Sequence, residues 1–304
     1  MSSVSENESQ TDQAPAHLTA PLTIEEFSEA DYESEPDQSP THLTPEQLEL
    51  WFELTDWIIN AQGPTYHEKL GIPPEVGFEV AKTLCDKGDV EARNPTVEYN
   101  PIVHRLSIRM CSNARAGLSS WVINGQFDAV RSGFFTMDEL RDTMLMLNAG
   151  IYRFSAPYEK AYKDGGGYFP SNNFRFPCIA FESGHEPWAN LLEVKDIWLQ
   201  GGAPYVNAVL VVQWDERDNG EVAGSLELHR RNGIVGSRIQ VFPVPEPGTP
   251  HAAQFVTFYR RDFYPEGKVP DGRNPDDVWN WELDEFRRYA TMTMGITNLR
   301  PAEA

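Results

Sequence analysis

The chain has 304 residues, 46 Asp and Glu against 25 Lys and Arg, and a formal net charge of −21. Its length allows one large domain or two small ones. Its acidity argues against strong sequence-independent binding to nucleic acid, which runs on phosphate neutralisation by Lys and Arg, although a local basic face stays open.

The first 43 residues hold ten acids and no Lys or Arg, with few apolar side chains among Ser, Thr, Gln and Pro. Such a segment cannot bury enough apolar surface to offset its ordering entropy, so residues 1–43 are expected to be a disordered acidic tail. The tail solubilises the chain or meets a basic protein partner. Residues 44–304 are expected to form a single domain, with an N-terminal helical part (44–135) and an α/β core (136–304). Cys85, Cys111 and Cys178 make no CxxC pair, which suggests neither a zinc site nor a disulfide framework. The start has no basic n-region and no apolar h-region, and no apolar run approaches the roughly 18 residues of a membrane span. A reducing compartment, cytosol or nucleus, follows as the expectation.

Thr44, Pro45 and Gln47 form a capping-box start, and Leu48, Trp51, Leu54 or Thr55, and Ile58 then recur at helical spacing until Gly63-Pro64. A second helix is expected over Pro74–Asp86, with Val76, Val80 and Leu84 on one face and Gly88 beyond its end. Thr96–Tyr99 and Arg105–Met110 read as a hairpin about Asn100-Pro101. Ser112 is placed to cap a helix carrying Leu118, Trp121, Val122 and Phe127, and Thr136 with Glu139 makes another capping box.

Beyond residue 147 the pattern turns to strands: Leu147–Phe154, Gly167–Pro170 and Pro177–Glu182. A helix at Glu186–Gln200 ends on Gly201-Gly202. The nearly continuous apolar run Val206–Trp214 marks a strand buried on both faces. Strands at Gly224–Arg230, Ser237–Val244 and Ala253–Arg260 and a last helix at Leu283–Met294 complete a mixed α/β pattern with a partly antiparallel sheet.

Phe176–Trp214, with Pro177, Glu182, Gly184, Trp188, Trp198, Leu199, Gly201 and Gly202, resembles a pattern of uncharacterised fungal proteins assigned to the restriction-endonuclease-like, PD-(D/E)xK, superfamily. There a proline opens a strand ending in E-x-G, and a helix closes on W-L-x-G-G before a hydrophobic strand. Lys163–Pro170 and Met294–Ala302 extend the resemblance weakly. It implies a restriction-endonuclease-like core of helix, three strands, helix and strand, which is the order that periodicity gives independently.

The resemblance implies metal-dependent phosphodiester hydrolysis: two carboxylates holding Mg²⁺, which positions the attacking water, and a lysine that stabilises developing charge. Glu182 matches the second carboxylate, ending an apolar strand where an acid is costly unless it faces a cleft or a partner; a helix-capping acid is the plainer reading. Asp164 is the candidate for the first. Registered on Pro170, however, the expected acid falls on Gly165, so Asp164 needs a one-residue slip, and Asp164-Gly165 is also turn chemistry. The lysine position holds Gly184. Lys195, on the stripe of Trp188, Leu191 and Trp198, and Gln213, on the buried strand, are the candidate substitutes, with His185 a weaker one. Lys195 is also readable as a snorkelling side chain, and Gln213 cannot supply a charge. His229, Arg230, Arg231 and Arg238, with Arg260 and Arg261, are the dense basic grouping that could touch nucleic-acid phosphates, or simply line a solvated face. Two functions therefore stand beside each other: a Mg²⁺-dependent phosphodiesterase, and a catalytically inactive nuclease-like fold that binds or scaffolds a partner.

Overall fold

Alternation along the strands decides this architecture, because each strand offers one row of side chains to either side of a single large sheet. The computed structural model describes residues 40, 42–84, 88–110, 113–246 and 254–303. Residues 1–39 and 41 of the expected acidic tail, the Ser112 cap, Cys85 and Cys111 lie outside the described residues, whereas Leu43, the last residue of that expected tail, is buried in the core beside α1. In chain order the elements are α1 (Pro45–Asn60), β1 (Tyr66–Leu70), α2 (Pro74–Leu84), α3 (Gly88–Ala92), β2 (Pro95–Asn100), β3 (Arg105–Met110), α4 (Asn113–Arg131) and α5 (Met137–Asp142). There follow β4 (Thr143–Ile151), β5 (Tyr162–Pro170), β6 (Ile179–Gly184), α6 (Trp188–Asp196), β7 (Ala208–Glu216), β8 (Glu221–Arg230) and β9 (Ile239–Phe242). The chain closes with β10 (Phe255–Tyr259), β11 (Val278–Glu282), α7 (Leu283–Gly295) and β12 (Arg300–Pro301). No helix among the described residues is long and apolar enough to cross a membrane.

Ten strands form one mixed, mostly antiparallel sheet in the order β1-β3-β2-β5-β6-β7-β8-β12, with β4 also on β5 and β9 also on β8. The α6 crossover makes β6 and β7 parallel, the geometry that a βαβ connection requires. The capping boxes at Thr44 and Thr136 form as expected. The N-terminal part is not only helical. Its strands β1, β2 and β3 extend the core sheet, joined where Glu98 and Tyr99 of β2 face Lys163 and Tyr162 of β5.

One face of the sheet is mostly apolar. At one end Val97, Tyr99, Leu106 and Ile108 pack on α1 and α2. At the other, Phe181, Leu210, Val212 and Leu226 pack on α4 and α7. The two helices α4 and α7 approach so closely that a Cβ on Gly117 would stand 2.6 Å from the Ala290 Cα. The opposite face carries Ala180, Val209 and Val211 under α6, with Leu191, Val194 and Trp198. Beyond Ala180 that same face turns polar.

The run Asp164-Gly165-Gly166-Gly167 is not a turn. It lies within β5, a nine-residue strand that begins at Tyr162. The glycines are demanded by packing: a Cβ on Gly167 would collide with the Ile179 carbonyl, and one on Gly165 would stand 2.7 Å from Trp198 Cζ2.

Candidate functional site

Five charged side chains meet on the α6 side of the sheet, all of them buried: Glu98 from β2, Arg109 from β3, Lys163 from β5, Glu182 from β6 and Glu186 from the loop entering α6. Registry puts them there. Thr96 faces Arg109 and Glu98 faces Lys163 across their ladders, and Gly167 faces Ala180, so each strand sends its charged residue to the same face. Lys163, with no exposed surface, lies between two carboxylates, its Nζ 2.9 Å from Glu98 Oε2 and 3.0 Å from Glu182 Oε1. Arg109 reaches three: Glu186 Oε1 at 2.7 Å, Glu182 Oε2 at 3.3 Å and Glu98 Oε2 at 3.5 Å. Trp198 Nε1 donates to Glu182 Oε1 at 2.5 Å. Farther along, Arg105 ties β3 to α6 through Glu193 at 2.7 Å.

Burial by itself would raise the Glu182 carboxyl, but Lys163, Arg109 and the Trp198 N–H hold it below its usual range. Burial likewise opposes the charge on Arg109, and Glu186, Glu182 and Glu98 more than restore it, so the guanidinium stays charged. Glu182 is therefore held toward its ionised form while buried, with a cation or donor on each oxygen.

The structure does not bring Asp164 to Glu182. Phe181 faces Gly166, so Asp164 shares the opposite, apolar face of the sheet. There its Oδ2 accepts from the Val97 N–H at 2.9 Å, and Tyr162 donates to Oδ1 at 2.8 Å. It bonds to the backbone of β2 beside the last paired residues of β2 and β5. The residue that does face Glu182 is Gly165, whose Cβ would lie 3.7 Å from Glu182 Oε1. The one-residue slip thus fails, because a slip of one in a strand changes the face.

Lys195 is also elsewhere. Its Nζ meets Asp196 at 2.6 Å, and its charge acts on Glu227 and His229 of β8. Gln213 does share the face of Glu182, but its amide donates to the Glu186 carbonyl at 3.0 Å and accepts from Arg238 at 2.7 Å. It holds the loop that delivers Glu186. At the position of the expected lysine, a Cβ on Gly184 would overlap the Glu186 carboxylate.

His185 lines a cavity of about 490 Å³ beyond the ends of β6 and β7, with Tyr66, Arg109, Gly184, Asp215 and Glu216. Its Nε2 is buried without a partner. Burial lowers its pKa from the ordinary value, against the pull of Glu216 and Asp215.

A Mg²⁺ ion does not fit the donor set as it stands. The two carboxylates expected to share it lie on opposite faces, and the oxygens of Glu182 are already engaged by Lys163, Arg109 and Trp198. Among the described residues, no three of His, Cys, Asp and Glu are gathered as a metal-ligand group.

The basic grouping is largely consumed by the fold. Arg230 is buried against Asp262, with contacts from 2.9 to 3.3 Å, and donates to the Thr257 carbonyl. Arg260 is buried against Glu139 and Asp277, and Arg261 pairs with Asp276. Arg231 donates to the Pro204 and Val206 carbonyls. His229 is buried, and burial with the Lys195 charge pushes its pKa down to about 4. Arg238 lies 3.9 Å over the Trp188 ring.

Glu98, Arg109, Lys163 and Glu186 were not legible as site residues. The available signal was a charge alternating with apolar residues in strands: Glu98 between Val97 and Tyr99, Arg109 between Ile108 and Met110. That pattern ordinarily marks a solvated face. Comparison of the chain with family models, with curated proteins and with solved structures finds no match in any of the three.

Proposed function

We propose that this chain is a nuclease-like fold whose catalytic centre has been replaced by a closed charge network, and that it works by binding a partner. The observation that carries this reading is the refilling of two positions. Where the resemblance to restriction-endonuclease-like proteins calls for a carboxylate and a lysine, Gly165 and Gly184 stand, and Trp198 and Glu186 take up their space. The order α5, β4, β5, β6, α6, β7 supports the lineage, being helix, three strands, helix and strand. Lys163 and Arg109 supply to Glu182 the positive charge that a metal would otherwise supply. A network of this kind fixes geometry: Arg109 and Lys163 between them hold three carboxylates, and both oxygens of Glu182 are engaged, although Glu98 Oε1 and Glu186 Oε2 are buried without a partner.

One observation favours the phosphodiesterase reading. Glu98 and Glu182 flank a single lysine on the face that carries Gly184, whose other neighbour is the cavity, so the two carboxylates of a Mg²⁺ site would be Glu98 and Glu182 rather than Asp164 and Glu182. Titration calorimetry of Mg²⁺ and Mn²⁺ into the full chain and its Glu182→Gln variant separates the two, together with cleavage assays on single- and double-stranded nucleic acid. The binding reading expects identical metal isotherms for both proteins and no metal-dependent cleavage. A saturable site or a cleavage activity that the parent has and the variant lacks would overturn it.

A further inference from the structure

A groove of about 850 Å³ runs between β11 and α4, remote from the charge network. Its walls are Trp279, Asn280, Trp281 and Glu282 of β11, Gly125 and Asp128 of α4, and the first turns of α7. Three independent features of it point to one occupant.

The first is an open strand edge. Within the described residues β11 pairs with β10 alone. Arg260 N–H donates to the Asp277 carbonyl at 2.9 Å, immediately beyond the pair Tyr259 and Val278. Alternation in an antiparallel ladder then places Trp279 and Trp281 in bonded pairs with β10, and turns the backbone groups of Val278 and Asn280 outward. An edge of this kind is a template for another strand.

The second is an orphan donor. Trp281 is 3% exposed, and its Nε1 is buried without a hydrogen-bond partner. A buried N–H left unpaired is costly, on the order of 1–3 kcal/mol. The indole borders the groove, packed edge-to-face on Trp121 of α4 and close to the backbone at Gly125, where a Cβ would be 3.5 Å from Trp281 Cε2. A carbonyl entering the groove would relieve it.

The third is charge. Asp128, Glu282 and Glu285 face the groove against one guanidinium, Arg131, which already pairs with Asp128 at 2.7 Å. Glu285 pairs with Arg288 at 2.7 Å. Glu282 has no ion pair among the described residues. Phe127, 63% exposed at the groove, adds an aromatic face on which a cationic side chain can stack.

We infer that β11 is a docking edge for an extended, basic segment of a partner protein, which adds as a strand along the open edge of β11, at the rim of the groove that α4 borders. Its backbone pairs with Val278 and Asn280, one carbonyl accepts from Trp281 Nε1, and its Lys or Arg side chains face Glu282, Glu285 and Asp128. This site is separate from the network around Glu182, and the inference does not depend on how that network is read.

The test is fluorescence anisotropy of two labelled heptapeptides, one alternating Lys and Val and the other Glu and Val, with the full-length protein. Amide exchange of residues 278–282 is followed in parallel. The basic peptide is expected to bind, to protect the outward amides and to perturb the emission of the groove tryptophans, whereas the acidic one does none of these. Asn280→Pro removes an outward N–H and leaves the β10 ladder intact, so it should weaken binding at least tenfold. Should that variant fail to fold, Glu282→Lys with Glu285→Lys must weaken binding to a similar extent. Glu182→Gln should bind as the parent does. Equal binding of the two peptides, no binding of either, or basic-peptide affinity unchanged in the folded groove variants would overturn the inference. A basic peptide attracted only by the overall charge of the chain would give that last result.

Discussion

The two faces of the ten-stranded sheet are built from the same strands, one residue out of step, and they hold the molecule together differently. The face toward α1, α2, α4 and α7 is a mostly apolar layer, in which Leu210, Val212, Leu106 and Ile108 are excluded from water without partners of any particular orientation. The face toward α6 begins in the same way at Ala180 and Val209, then becomes a buried lattice of Glu98, Arg109, Lys163, Glu182 and Glu186. Apolar burial is additive and forgiving, at about 25 cal/mol per Å². The charged lattice works only as a set, because each carboxylate is tolerated by the cations beside it and each cation by the carboxylates.

The sharpest way to break that contrast is to remove one cation. Arg109→Ala or Lys163→Ala strands carboxylates in the interior and should cost about 3–5 kcal/mol in chemical denaturation. Leu210→Ala on the apolar face should cost about 2–5 kcal/mol by the loss of packing alone. What distinguishes the faces is the combined change. Lys163→Met together with Glu98→Gln and Glu182→Gln should be less destabilising than Lys163→Ala alone, whereas truncations on the apolar face should accumulate. A triple variant that is less stable than the single one would show that the lattice is not a matched set.

Acid should separate the faces next. Glu182 is held below its ordinary pKa when folded, so its contribution is fully present above about pH 4.3 and is lost as pH falls through the folded value. His229 is neutral in its site, with a pKa pushed down to about 4 from about 6.5 unfolded. Its contribution is present above pH 6.5 and fades between there and about pH 4. Melting temperature followed against pH should fall in those two windows. The upper one should become shallower in His229→Asn, with the also-lowered His185 keeping part of it, and a profile unchanged by that substitution would remove His229 as a source.

Smaller effects test the contacts over Gly165 and Gly184. Trp198→Phe keeps the ring packing and deletes the N–H donor to Glu182, with an expected cost of about 1.5–3 kcal/mol. Gly184→Ala should force the Glu186 carboxylate off its place and cost about 1–3 kcal/mol. A double-mutant cycle with Glu186→Ala should recover part of that cost, and additive losses would mean that Glu186 does not fill the space over Gly184. Arg238→Ala, which removes a cation from the half-exposed Trp188 ring, should change stability by less than about 1 kcal/mol.

Local chemistry determined a good part of this molecule from the sequence. The capping boxes at Thr44 and Thr136 and the apolar run of β7 follow from residue type and spacing, as does the helix that separates β6 from β7. So does the α/β class. The strand through Asp164 to Gly167 did not, because a glycine run reads as a turn until Trp198 and Ile179 are seen to press against it. The fate of Glu182 was half legible: an acid ending an apolar strand needs a partner, but one of its two cations, Arg109, comes from a strand 73 residues earlier. Only the tertiary structure could decide that Gly165, not Asp164, faces it, since pairing register alone selects the face. It also decided that Arg109 and Lys163 neutralise it, because long-range strand order, invisible in any local window, puts β3, β2, β5 and β6 side by side.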